Sequence, residues 1–232
     1  MQILAIRQPT RKPNRSFIPV ITDAMTRYKE KNKDEPGTEE KVKDLTDFIQ
    51  KNKFGMMTTY SSHEGTLASR CMAIAATVST GYRRNENSAH ALQESGGVDL
   101  IFHTNTESGK TDDLKQNPAI NMSFYNNSGE WASVSGEASI IADRETVKKY
   151  YSPALKTWLG DLGDGTHDGS ENDPRIGVIK ISTKTATYAI SRSNAISRGI
   201  EMVQGAITGN AAQVNKLREI SEAEVSSYRS SH

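Results

Sequence analysis

The stretch IFHTNTESGKTDDLKQNP, Ile101 to Pro118, gathers His103, Thr104, Asn105, Thr106, Ser108, Gly109 and Lys110 between an apolar run and a helix start. A phosphate monoester needs several hydrogen-bond donors converging on one point, and a strand end, small hydroxyl residues and a helix N-terminus supply them economically. Thr104 and Asn105 close the strand, Thr106 and Ser108 bring hydroxyls, Gly109 permits close backbone approach, and Lys110 adds a cation. The spacing is neither the GxxxxGK[ST] of a nucleoside-triphosphate loop nor the GxGxxG of a dinucleotide site. Taken alone, the stretch reads more simply as a capped strand-to-helix turn with Lys110 in water.

The elements around it follow from periodicity. The charged stretch 28–38, YKEKNKDEPGT, reads as a linker, since it has too little apolar surface to offset the entropy of ordering. TEEKVKDLTDFIQKNKF reads as an amphipathic helix, with Thr38 as its cap and Val42, Leu45, Phe48 and Ile49 on one face. FGMMTTYSS and TLASRCMAIAATV, joined at SSHEG, form a hairpin, and STGYRRNENSAHALQESGG is a long loop. VDLIFHTN is a strand, followed by a short helix that Asn117-Pro118 stops. AINMSFYN and WASVSGEASIIA pair around NSGE, and a helix opens at Asp143. RIGVIKISTKTATYAI reads as two strands around a Ser-Thr-Lys turn, and NKLREISEAEVSSYRSS as a mostly solvated helix. Hairpins with intervening helices define an α+β chain, mostly antiparallel β. Residues 1–37 are expected to be a flexible basic and charged leader, 38–190 the domain, and 191–232 a tail with a helix.

Composition narrows the function. With 29 Lys plus Arg against 28 Asp plus Glu, the net charge of +1 gives no general reason to expect nucleic acid, so any anion site is local. No apolar run reaches the ~18 residues of a membrane span, and the lone Cys71 fits a reducing compartment, so no membrane partner and a cytoplasmic protein are expected. Cys71 has no second cysteine to resolve it, which makes a redox role for its thiol a minor alternative. The five histidines show no ligand spacing. The loop DLGDGTHDGSEND lacks the EF-hand pattern, because the twelfth residue from Asp161 is Asn172 rather than Glu; no metal is expected.

The segment IFHTNTESGKTDDLKQNPAINMSFYN, with LASRCM upstream and EWASVSGEASI downstream, resembles the pyridoxamine 5'-phosphate oxidase-like flavoproteins. From about Thr38 to Ile190 the order of segments is similar to their general-stress-protein branch, and SPALKTWLGDLGDGTHDG with NDPRIGVIKI resembles its fungal blue-light-induced members. The resemblance implies a split β-barrel with flanking helices that binds FMN at a homodimer interface. Carried over residue by residue, Ser69, Arg70, Cys71 and Met72 fall on the strand along the flavin phosphate and ribityl chain, with Cys71 contributing backbone. His103 and Thr104 fall on the Tyr/Phe-Thr pair, with Asn105 next to them. Ser108 and Lys110 fall on the phosphate serine and lysine, and Trp131 on a glutamine near the flavin ring. Trp158 is implied as a pocket residue, with a core tryptophan as the equal alternative, and Arg192 or Arg198 could reach a second subunit's phosphate.

Three departures separate cofactor from reaction. The oxidases place an arginine where this chain has Gly109, grip their substrate's phosphate where it has YYSPALKTW, and end in an R-L-H-type segment that it lacks. The resemblance therefore implies an FMN-dependent oxidoreductase or flavin reductase of the stress response, with a reduced nicotinamide nucleotide as electron donor and no catalytic acid or base assigned. A non-catalytic flavin-storing or signalling protein, and a true pyridoxamine 5'-phosphate oxidase, are the alternatives. An F420 or haem cofactor, used by relatives of the fold, stays open.

Overall fold

The computed structural model describes residues 33–52, 54–74, 98–191 and 215–231. Helix α1 (Thr38–Lys51) buries Val42, Leu45, Phe48 and Ile49 on one face, and its first-turn Glu39 and Glu40 complement the helix dipole. Its N-cap is Gly37, one residue before the expected Thr38, so no side chain caps it. Strands β1 (Phe54–Ser61) and β2 (Thr66–Ala73) form the expected hairpin, turning at Gly65, whose φ of 67° favours glycine.

After β3 (Leu100–Asn105) come α2 (Gly109–Gln116), β4 (Ala119–Tyr125) and β5 (Trp131–Ile141). Helix α3 (Arg144–Tyr150) is capped by Asp143, which accepts from the Thr146 N–H, and α4 (Ala154–Leu159) follows. Strands β6 (Ile176–Ser191) and β7 (Asn215–Ile220) and helix α5 (Glu222–Ser231) complete the order. Among the described residues no helix is long and apolar enough to cross a membrane.

The seven strands make one antiparallel sheet in the order β2-β1-β4-β5-β6-β3, with β7 added on β6. Among the described residues a single bridge, Ile74 to Phe102, joins the two ends of this path and closes it. The result is a split β-barrel with flanking helices, in the α+β class. Side-chain alternation sends Met57, Phe102, Met122, Phe124, Val134, Ile179, Ile181 and Tyr188 into the main core, which α1 and α5 cover with Leu45, Phe48 and Val225. A smaller cluster outside β3 and β6 holds Ile101, Val147, Ile176 and Val178, with α3 and α4 packed over it.

The sequence reading of three segments is corrected. Residues 176–191 form one strand: the expected Ser-Thr-Lys turn is a bulge at Lys184, where β5 pairs Ser135 with Thr185 and Gly136 with Thr183. Here the backbones come so close that a Cβ on Gly136 would lie 2.1 Å from the Ser182 carbonyl oxygen. Residues 33–37, read as linker, are fastened instead, with Lys33 bridging to Leu217 and Asp34 to Arg218. Residues 215–220, read as the start of a solvated helix, are strand β7, and Arg218 within it is fully buried.

Candidate functional site

The turn between β3 and α2 is built around one acceptor. The Asn105 carbonyl receives the Ser108 hydroxyl at 2.7 Å, the Thr111 hydroxyl at 3.0 Å and the Ser108 N–H at 3.3 Å. These bonds fix where α2 begins. Gly177, opposite Thr104 on β6, makes room for the turn, since a Cβ there would meet the Thr106 methyl at 2.6 Å. Ser108 is the N-cap of α2 by position but caps no N–H with its side chain. It accepts instead from the Lys110 ammonium at 2.7 Å.

Lys110 is half-buried and has no carboxylate partner among the described residues. Burial, and then the charge of nearby Arg70, hold its pKa below the ordinary lysine value of 10.5. Arg70 reaches the same place from β2. Its Nη1 donates to the Thr59 hydroxyl at 2.8 Å and its Nη2 to the Asp113 carboxylate at 2.9 Å. Thr59 donates in turn to the same Asp113 oxygen at 3.2 Å. Two cations thus lie close together near the start of α2, and only Arg70 has a carboxylate partner among the described residues. That arrangement suits an anion with several acceptor oxygens.

The remaining expected residues divide by strand alternation. On β2, Arg70 and Met72 point inward and Met72 is core, whereas Ser69 and Cys71 point outward. Ser69 shares a 2.8 Å hydrogen bond with Thr58, and Cys71 is exposed opposite Met56. On β3, Thr104 is buried on the inner face while His103 lies on the outer one. The His103 Nε2 donates to the Tyr150 carbonyl at 2.6 Å, and burial lowers the ring's pKa despite that bond. His103 is therefore an outward-facing strand residue and takes no part in the cluster. Trp158 is also elsewhere: it is 76 % exposed on α4, beside a loop that Arg175 ties through Asp173 and the Leu159 and Gly160 carbonyls. Arg192 and Arg198 lie outside the described residues.

Trp131 begins β5, three strands from β2 and roughly 14 Å across the sheet by the usual strand spacing, and on the outer face. That outer face carries Phe54, Tyr60, Leu67, Tyr125 and Trp131, all substantially exposed. Between them runs a ladder of Ser69, Thr58, Asn121, Ser135, Ser123 and Ser133, whose side chains largely hydrogen-bond one another. Sequence reasoning missed Thr59, Asp113 and Thr111. Only the i,i+3 spacing of Lys110 and Asp113 hinted that Asp113 shares a helix face with the lysine.

A split barrel with a basic cluster at the β3–α2 turn is the class that this geometry defines. Residues 88–213 match the family profile described as pyridoxamine 5'-phosphate oxidase like. Protein bli-3 of Neurospora crassa is 56% identical over 207 residues, spanning 88% of this chain and 91% of the relative. The chain belongs to the pyridoxamine 5'-phosphate oxidase-like family. In fold it is similar to a general stress protein 26 from Jannaschia sp. CCS1, with a TM-score of 0.51 and 14% identity over 80% of this chain and 99% of that one. The general stress protein 26 of Bacillus anthracis, at 22% identity, covers 65% of this chain and 92% of its own with a TM-score of 0.45.

Proposed function

We propose that this protein binds FMN, seating its phosphate against Arg70, Ser108 and Lys110, and acts as an FMN-dependent oxidoreductase or flavin reductase in a stress response. The observation that carries the reading is the Lys110 ammonium: half-buried, beside a second cation, with only a hydroxyl for partner among the described residues. An uncompensated cation out of water is costly unless a ligand supplies the missing charge. The residues present fit that ligand. The space at Gly109 is open, with no atom within 4 Å of an added Cβ.

When bound, FMN would supply the hydride chemistry, and the chain would bind and orient it. Arg70 and Lys110 would neutralise the phosphate, and Ser108 would donate to it. The outward Trp131 and the inward Arg70 of one chain face different sides of the sheet, so a flavin flanked by Trp131 would take that residue from a second copy. The uncovered face from Phe54 to Trp131 has the exposed aromatic residues that favour such a homodimer.

The test is the absorbance spectrum of purified protein, extraction of its ligand, and titration with FMN. A flavin spectrum with FMN released on denaturation is expected, together with oxidation of a reduced nicotinamide nucleotide faster than by free flavin. Absence of flavin and of FMN binding would overturn the reading. Gly109, which leaves out a phosphate contact of the oxidases, favours a second reading in which FMN is held without turnover. Yellow protein inert toward reduced nicotinamide nucleotides and pyridoxamine 5'-phosphate would support that reading, and pyridoxal 5'-phosphate formation would restore the literal oxidase.

A further inference from the structure

Asp113 poses a problem for an anion site. Asp113 is 8 % exposed and its carboxylate sits against Arg70, where it cancels half of the positive charge that a phosphate would meet. A plain counter-ion in that place would weaken the site. Its geometry does something else. One oxygen, Oδ2, receives both the Arg70 Nη2 and the Thr59 hydroxyl, and that hydroxyl receives the Arg70 Nη1. The three side chains close a triangle with two of its corners, Thr59 at 1 % exposed and Asp113, buried in the fold.

An arginine side chain has several rotatable bonds, and its planar fork is useful to a phosphate only when the plane is aimed. Arg70 Nε and the second hydrogens of Nη1 and Nη2 make no bond among the described residues, so they stay available once the triangle is made. We infer that Asp113 and Thr59 are positioning residues, which trade part of the site's charge for a fixed direction of the Arg70 guanidinium toward the ligand phosphate. The inference rests on the phosphate reading above.

The test compares FMN with riboflavin, which lacks the phosphate, by quenching of flavin fluorescence on full-length protein. Wild-type protein binds FMN more tightly than riboflavin. Asp113→Ala is expected to weaken FMN roughly tenfold, the size of one lost charge-assisted bond, and to leave riboflavin unchanged. Asp113→Asn, whose amide oxygen still accepts from Nη2, restores most of the FMN affinity. Thr59→Val loses a smaller part, again for FMN alone.

Asp113→Ala binding FMN as tightly as wild type, or more tightly, would make Asp113 a simple counter-ion and overturn the inference. Equal losses for FMN and riboflavin would reduce the triangle to general support of the fold. If Asp113→Ala does not fold, Thr59→Val decides, and unchanged FMN affinity there refutes the clamp. Wild-type protein that does not distinguish FMN from riboflavin would remove the phosphate site itself, and the clamp with it.

Discussion

Two regions of this molecule use the same cations to opposite ends. Around β7, Arg218 meets Asp34, Glu40 and Asp44, and Lys41 meets Glu35 and Glu224, with Lys33 also on Glu35, so three cations face five carboxylates. At the β3–α2 turn, Arg70 pairs with Asp113 and Lys110 has no carboxylate partner among the described residues. The first group is closed: the Arg218 side chain is 1 % exposed, and its partners lie 174 to 184 residues earlier in the chain, tying the segment before α1 to β7. The second is open toward solvent and short of negative charge. The two groups therefore differ both in the count of carboxylates around the cations and in their depth, with the Arg218 side chain 1 % and the Arg70 side chain 33 % exposed.

The largest test of this contrast is Arg218→Met. It should cost about 3 kcal/mol in urea denaturation, the low end for breaking a buried pair, because its three carboxylates keep part of their hydration. FMN affinity of the folded protein should not change. A loss of FMN affinity with little loss of stability would reverse the two assignments. Lys110→Ala should do the opposite, weakening FMN by about 1.5–3 kcal/mol while leaving the urea midpoint in place. Unchanged FMN affinity there would put the lysine in solvent.

Acid sharpens the contrast further. Burial pushes Glu224 up, but the Ser221 N–H and Lys41 outweigh it and bring the carboxyl from 4.5 to about 2. A carboxyl depressed in the fold contributes stability above its unfolded pKa and loses it as pH falls through the folded one. The melting temperature should therefore fall between pH 4.5 and about 2, and Glu224→Gln should flatten that fall. The smallest effect is expected from Gly109→Arg. It fits into open space and adds a cation, so FMN should tighten by about 0.5–1 kcal/mol. Weaker binding would mean that the phosphate lies on the other side of the turn.

The sequence showed the parts of both regions unequally. Strand alternation and helical spacing located β1, β3 to β5 and α2 to within about two residues and the starts of α1 and β2, because each buries a face that its own residues define; α1 ends at Lys51, three residues earlier than read, and the expected end of β2 lies outside the described residues. Lys110 and Ser108 were legible because they are neighbours in the chain. His103, next to Thr104 in sequence, is opposite to it across the strand, a division that adjacency in the chain does not show. Asp113 looked like its exposed neighbour Asp112, and only folding brings it to Arg70 on a different strand. Arg218, among charged residues, read as solvated, since nothing nearby reveals partners so far back in the chain. Long-range ion pairs leave no local period to read.

The closure of the barrel has a further consequence. Strand β2 is stitched to β1 through eight register pairs, but along its other edge the described residues offer only the bridge from Ile74 to Phe102. Of the barrel's staves it is the one most easily lifted, and it is the stave that bears Arg70. Its amides should exchange with deuterium sooner than those of β4 or β5, which are laced on both sides. A ligand gripped by Arg70 on that stave and by Lys110 on α2 spans the loose joint like a hoop. Its arrival would then be read as slowed exchange along β2, even before any colour is measured.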